Sequence, residues 1–517
     1  MKKFFTSIML LAGSLAAMAT DYPGTLAVVI DGSVAQPTKT QIVLDKQDDG
    51  KYGLALKNFI LIQEGAEMAV GNIVLKDIEA KEEQGAMVLE TKQDILIEAG
   101  DTEGVDFWAG PFLGEVPVEL KAVVNEGVLT ADIVVPIGDQ DVKVLFDSRE
   151  FQLPNSGFEE FHTATAGSAT SDEPNNWHSF MSCTGSFASM VNSVKHTFIS
   201  EDTRPESNGN KSVLVKSGAV FGIVANGTLT TGQLQAGGMS ATDTKNNAFI
   251  DLTNEAKDAN GDPFYTTLNT LPDSISAWVK FKQGETVAEH PYATMSAVIT
   301  DGSYYQEPKP EGEEYSDIIV GEARNNQIES TGEWQKITVP FEYSYNNKSP
   351  KAILVTFSTN ADPGKGTSND ELYIDDVELV YSSYLSDLSI NGETLSGFAS
   401  DKYDYEYSFA EGTMPTMEEL KDVVKYDVAG NEATGLVFAE DDTKKVIVVV
   451  LSADLLSSHT YTIKFSEGAA GVENIVSAEN TGKTIYNLNG QKVNSMKKGE
   501  VYITKYANGK IVKSINK

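Results

Sequence analysis

Residues 369–382 read NDELYIDDVELVYS, and within them Tyr373–Leu379, YIDDVEL, poses the question on which the fold turns. β-Branched, aromatic and aliphatic residues mark a strand, and successive side chains of a strand point to opposite faces. A regular strand places Tyr373, Asp375, Val377, Leu379 and Tyr381 on one face and Leu372, Ile374, Asp376, Glu378 and Val380 on the other. Each face then holds an aspartate among apolar neighbours. A carboxylate in that setting is costly unless it is hydrogen-bonded, paired or bound to a metal. The strand texture continues in both directions. Turns such as DKQDDG (45–50) and DANGDP (258–263) separate short alternating runs, and TMEELKDVVKYD (416–427) is the one convincing helical pattern. The fold class is all-β, in several domains.

The 517 residues accommodate three or four domains. Lys2 and Lys3 precede a short apolar run that ends in Ala17-Met18-Ala19, an A-x-A site. Residues 1–19 are therefore expected to be a secretory signal peptide, with the mature chain starting near Thr20. The run is too short to span a bilayer, and no later segment is long and apolar enough to do so. The expected location is the cell surface or the extracellular space, with the periplasm as the fallback. Cys183 is the only cysteine, so stability must come from buried cores, aided if need be by metal ions. A formal charge of −35 argues against binding nucleic acid or an anionic membrane through the bulk of the surface. The tail from Gly471 to Lys517 reverses that sign, with eight lysines against three glutamates.

Residues 21–148 alternate through eight short strands with tight turns, the pattern of a closed up-and-down barrel. The stretches YPGTLAVVIDG, YGLALKNFIL, VGNIVLKDI and FWAGPFLGEVPVELKAVV resemble the calycin-like (lipocalin-like) domain of secreted Bacteroidetes proteins. That resemblance implies a barrel able to hold a small apolar ligand. A barrel filled by its own side chains is the alternative, with Trp108 as a plug.

Residues 151–382 begin with NSGFEE and end with YIDDVEL, with SISAWVKFK and GEWQKITVPFEY between. These ends and strands resemble the jelly-roll sandwiches of carbohydrate-binding modules. GIVANGTLTTG, SDIIVGEA and TFSTNADPGKGTSNDELYIDDVELVY are similar to the "putative carbohydrate metabolism domain" (PCMD) family. Residues 383–468, from YLSDLSINGETLSGF to SSHTYTIKF, resemble small cadherin- or immunoglobulin-like sandwiches. Residues 471–517, with YNLNGQKV, VYITK and the NGK turn, resemble the C-terminal sorting domains of type IX secretion.

No catalytic motif occurs: no H-E-x-x-H, G-x-S-x-G or P-loop. The histidines at 162, 178, 196, 290 and 459 show no metal-ligand spacing, and DKQDDG and DANGDP lack the EF-hand register. With 75 acidic residues a glycosidase pair is neither excluded nor nominated, and the expectation is a non-catalytic protein. The jelly-roll resemblance brings the first and last strands of 151–382 together, and so Glu159 toward Asp375. It implies a structural calcium there, or else a hydrogen-bonded aspartate closing a loop. Tyr304 and Tyr305 in TDGSYYQEPKP, with nearby Glu307 or Asp301 accepting hydroxyl bonds, and Trp177 in EPNNWHSF are candidates to stack on a glycan, whereas Trp278 and Trp334 alternate with polar residues and are read as core. The expected function is glycan binding at the cell surface. The alternatives are a structural or adhesive protein with spacer sandwiches, and a carrier of an apolar ligand in the barrel.

Overall fold

A computed structural model describes residues 19–468, apart from 139, 221 and 345–346, and the tail strands Lys483–Asn487, Lys492–Val493, Val501–Tyr506 and Ile511–Ile515. The expected leader, but for its last position, and the tail's connecting segments lie outside the described residues. These residues divide into two compact units, one within Met1–Asp404 and Met417–Thr462, the other within Tyr405–Thr416 and Ile463–Lys517.

In the first unit the N-terminal strands form one antiparallel meander. Thr20–Ile30 pairs with both Thr38–Lys46 and Gln140–Asp147, which closes the ends of the segment on each other. The ladder terminates at Ala66–Ile78 on one side and at Ala80–Glu83, beyond Ala86–Leu96, on the other. An isolated bridge between Asn72 and Glu98 spans that seam, where a ladder was expected to close the barrel. Gly71 makes the approach possible: its φ is +124°, and a Cβ there would lie 2.2 Å from the Glu98 carbonyl oxygen. Inward positions such as Leu26, Val28, Ile42, Leu54, Leu75, Val118 and Leu120 form one buried aliphatic cluster. Each such side chain contributes about 1.5–3 kcal/mol on burial. Trp108 is buried against Gly100. The interior is thus packed with the barrel's own side chains.

The central region is a sandwich of two five-stranded sheets. One orders Thr197–Ser200, Ser212–Lys216, Glu371–Val380, Ser274–Lys282 and Gln335–Pro340; the other orders Thr228–Thr230, Ala352–Ser358, Tyr292–Thr300, Ile319–Glu329 and Glu342–Tyr343. Their inner faces share a single core. Along Ser274–Lys282 the inward residues are Ile275, Ala277, Val279 and Phe281. Trp278 therefore lies on the outer face, beneath the Arg204 guanidinium, and Trp334 is half-buried with Lys280 over its ring. Both were expected in the core. Their alternation with polar residues instead reflects a wet face on which cations cover the rings.

The strand Glu371–Val380 does not keep one register. Leu372 and Ile374 point inward, and so do Val377, Leu379 and Tyr381, which belong to the opposite parity. The switch falls at Asp375–Asp376, where Asp376 adopts φ 41° and the pairing shifts between Ser276 and Trp278. It is a β-bulge, with one extra residue that resets the alternation. Neither aspartate shares a face with the core.

Residues 385–462 of this unit pack back on the others rather than trailing as a spacer. Phe438, Val449, Leu451 and Leu455 bury themselves with Ala27, Val29 and Leu145 of the barrel's outer face. The helix stops at Met417–Val423, short of the expected 427, because Val424–Val428 pairs antiparallel with Leu385–Ile390. Tertiary strand pairing overrides a short helical pattern that ends in Val423-Val424. In the second unit Phe409 packs against Phe465, and the tail strands form a four-stranded antiparallel sheet.

Candidate functional site

The opening segment of the sandwich does lie beside its last strand: Val377 N donates to Ser156 O at 2.9 Å, and Gln152 bonds both the amide and the carbonyl of Leu379. The two carboxylates expected to share calcium are engaged separately. Glu159 Oε1 accepts from the Asn210 and Lys211 amides at 3.0 and 3.1 Å. Asp375 accepts from the Arg204 amide through Oδ2 and from the Asp376 amide through Oδ1, at 3.1 and 2.9 Å. Asp376 pairs with Arg204 Nε at 2.6 Å. The carboxylate in the strand is hydrogen-bonded, at a bulge beside the Arg204 loop.

Burial, with Asp376 adding to it and the two amides opposing, pushes the Asp375 carboxyl up to about 6. A carboxyl with a folded pKa above its unfolded one is disfavoured above that pKa, and the penalty is relieved as pH falls through it. Relative to Asp375→Asn, the wild type is expected to gain about 1 kcal/mol of stability between pH 7 and pH 5. Urea unfolding of both proteins across that range measures it, and a pH-independent difference removes the shifted carboxyl from the account.

The glycan candidates separate clearly. Trp177 is fully buried between Phe158 and Phe357, and its Nε1 donates to Pro154 O. Tyr305 is buried in a second core cluster against Tyr315. Neither offers a ring face to a sugar. Tyr304 is 42% exposed, leans on Phe249 and donates its hydroxyl to Gln306. Adjacent residues of one strand segment point oppositely, so only one tyrosine of the pair faces out.

The outer face of the second sheet carries a cleft of about 720 Å³. Alternation explains its floor. Along Tyr292–Thr300 and Ala352–Ser358 the inward residues Ala293, Met295, Ala297, Val355 and Phe357 are fully buried, which leaves Thr294, Ser296, Thr356 and Ser358 pointing outward. Thr294 stands opposite Ser358 and Ser296 opposite Thr356, so the hydroxyls form a compact lattice. The walls are apolar, with Phe187, Met190, Ile223, Val224 and Met239 among them, and Met239 is 71% exposed. Glu307 borders the floor, accepts from Ser296 Oγ at 3.1 Å and pairs with Arg324. Of the cleft-lining positions only Glu307 is read from the sequence, as an acceptor for sugar hydroxyls beside the tyrosine pair. A further legible signal is the alternation of Thr294 and Ser296 in TMSAVIT and of Thr356 and Ser358 in LVTFST.

The central region also holds a buried polar cluster. His162 Nε2 is 3.8 Å from Glu173 Oε2 and 3.5 Å from Asp258 Oδ2, and His178 Nε2 is 3.3 Å from the same Asp258 oxygen. The side chains of Glu173, His178 and Asp258 are inaccessible to solvent and that of His162 nearly so. All four converging atoms lack a hydrogen-bond partner. Burial raises the pKa of Glu173 above its ordinary value, opposed by its bonds to Ser179 and Ser182. Burial pushes Asp258 up as well, but His178, the Asp262 amide and His162 more than offset it and hold that carboxyl low. The ligand atoms of His162, Asp258 and Asp262 all lie within 4.8 Å of one another. DANGDP is a turn, as expected, but a turn that aims Asp258 at two histidines. Cys183, nearby, has its thiol pushed up to about 12, by burial first and then by Glu173, which disfavours the thiolate.

Residues 18–148 match the family model of the calycin-like beta-barrel domain. No curated protein sequence matches the chain. Among solved structures, one described as a "putative glycoside hydrolase" from Bacteroides vulgatus ATCC 8482 is similar at 18% identity and a TM-score of 0.30, over 43% of this chain and 96% of its own. Another so described, from Bacteroides thetaiotaomicron VPI-5482, is similar at 15% identity and a TM-score of 0.32, over 52% of this chain and 87% of its own.

Proposed function

We propose that the protein binds glycans, without cleaving them, in the cleft on the second sheet of the central sandwich. The observation that carries this reading is the pairing of a hydroxyl floor with apolar walls. A sugar ring presents hydroxyls at its edges and C–H groups on its faces, so it satisfies both kinds of surface at once. The volume, about 720 Å³, suits a short saccharide rather than a single small ion. Glu307 is the one carboxylate among the described residues that line the cleft, and it is already paired with Arg324. Glycoside hydrolysis by the usual two-carboxylate route needs a second. Binding is therefore favoured over hydrolysis.

Calorimetry of the full chain against plant, host and microbial polysaccharides tests the reading. Ser296→Trp fills the floor of the cleft and is expected to weaken any binding by at least about tenfold, equivalent to about 1.4 kcal/mol. Tyr304→Ala, which lies outside the cleft lining, is expected to leave it unchanged. The opposite pattern would move the site to the Tyr304 loop, and the absence of binding across the panel would favour a structural or adhesive role.

A further inference from the structure

We propose that His162, Asp258 and Asp262, with Glu173 and His178 bordering them, form a binding site for a first-row divalent cation of the zinc type. The first argument is geometric. The ligand atoms of His162, Asp258 and Asp262 all lie within 4.8 Å of one another. Charge-assisted hydrogen bonds run at about 2.7–2.9 Å. The separations of 3.8, 3.5 and 3.3 Å among His162, Glu173, His178 and Asp258 exceed that. Around a tetrahedral ion with bonds of about 2.1 Å, neighbouring ligand atoms stand about 3.4 Å apart, so these contacts are spaced for an ion rather than for hydrogen bonds.

The second argument is that the other polar side-chain atoms of His162, Glu173 and Asp258 are occupied in a way that turns the free one inward, while both ring nitrogens of His178 are buried without a partner. Asn175 donates its amide to Glu160, and its carbonyl faces His162 Nδ1 at 3.2 Å. That carbonyl fixes the proton on Nδ1 and leaves the Nε2 lone pair aimed at two carboxylate oxygens. Lone pairs facing lone pairs in a buried site repel unless a cation stands between them. Glu173 Oε1 accepts from the Ser179 amide and hydroxyl and from Ser182 Oγ, which leaves Oε2 alone. Asp258 Oδ1 accepts from the Asn260 and Asp262 amides at 2.9 and 2.8 Å, which leaves Oδ2 alone. The backbone of His178 is locked to Thr230 through both its amide and its carbonyl, and its ring lies against Phe264. Such outer partners, which orient ligands, characterise metal sites. Asp262, held by Asn176 N, stands close enough to add a further oxygen.

Charge and donor type choose the ion. Two ionised carboxylates carry −2, which a divalent cation cancels. An imidazole nitrogen favours zinc and its first-row neighbours over calcium or magnesium, which take oxygen. These residues come from the hairpin Phe161–Ala166/Ala169–Pro174, the following turn and the loop at 258–262, so the ion ties the hairpin to that loop.

The test uses the full chain, stripped by dialysis against chelator and titrated with Zn²⁺, Ca²⁺ and Co²⁺. One Zn²⁺ per chain is expected, with a melting temperature raised by about 5 °C or more. His162→Ala and Asp258→Asn should each weaken binding by about 100-fold or more, while His290→Ala, a histidine outside the cluster, should not. Co²⁺ bound to the unaltered chain should show the intense visible bands of four-coordinate nitrogen and oxygen ligation, a readout independent of how the variants fold. Failure of the stripped wild type to take up Zn²⁺, uptake undiminished in both cluster variants, or a preference for Ca²⁺ overturns the proposal.

Discussion

Trp177→Ala is expected to destabilise the central sandwich by about 3–5 kcal/mol, the largest effect of any single core truncation named here. The indole is fully buried, with Phe158 at 5.2 Å and Phe357 at 6.3 Å between ring centroids. Removing it opens a cavity between the two sheets and strips the Pro154 carbonyl of its donor at 3.1 Å. Tyr304→Ala, at an exposed loop, should cost no more than about 0.5 kcal/mol. Denaturant unfolding of both variants measures the contrast. Near-wild-type stability of Trp177→Ala together with lost glycan binding would return that ring to the list of sugar contacts.

The misplacement of Trp177 shows where sequence reading reaches its limit. EPNNWHSF is polar because the Asn175 side chain bonds His162 and Glu160 and Asn176 occupies a left-handed turn position at φ 65°, not because the tryptophan is wet. The strands themselves were legible, since alternation along SISAWVKFK and KAILVTFS reports which face is dry. What alternation does not report is a change of parity. The bulge at Asp375–Asp376 turns Val377 and Leu379 to the face that Leu372 and Ile374 occupy, so a fixed period of two assigns half of that strand wrongly. The histidine cluster is invisible for a different reason. His162 and His178 are brought together by a hairpin and a turn, and Asp258 arrives from a distant loop, so no spacing rule covers them. What the sequence does place close together is His162, Glu173 and His178, on and just after the hairpin that turns at Gly167.

Arg149→Ala is the other substitution with a large expected effect, about 3–5 kcal/mol, although DSREF reads as an ordinary linker. Arg149 bonds both oxygens of Asp147 through Nε, adds Nη2 to Oδ2 at 2.8 Å, and reaches Glu432 with Nη1 at 2.7 Å. Asp147 ends the last barrel strand, Glu432 belongs to the module that packs on the barrel, and the second oxygen of Glu432 accepts the Leu271 amide of the sandwich. One guanidinium therefore joins three modules within one unit. Burial opposes its charge, but Asp147 and Glu432 more than offset that and raise its pKa above the ordinary arginine value. Deleting the cation leaves the nearly buried Asp147 carboxylate without its partner, which costs far more than losing an exposed ion pair. Arg149→Lys keeps the charge but not the planar fork, so an intermediate loss is expected. Calorimetric melting gives the stability, and limited proteolysis at 148–151 gives the local consequence. A variant that melts and resists protease like the wild type would mean that the apolar contact of Phe438, Val449 and Leu451 with the barrel holds the modules together unaided.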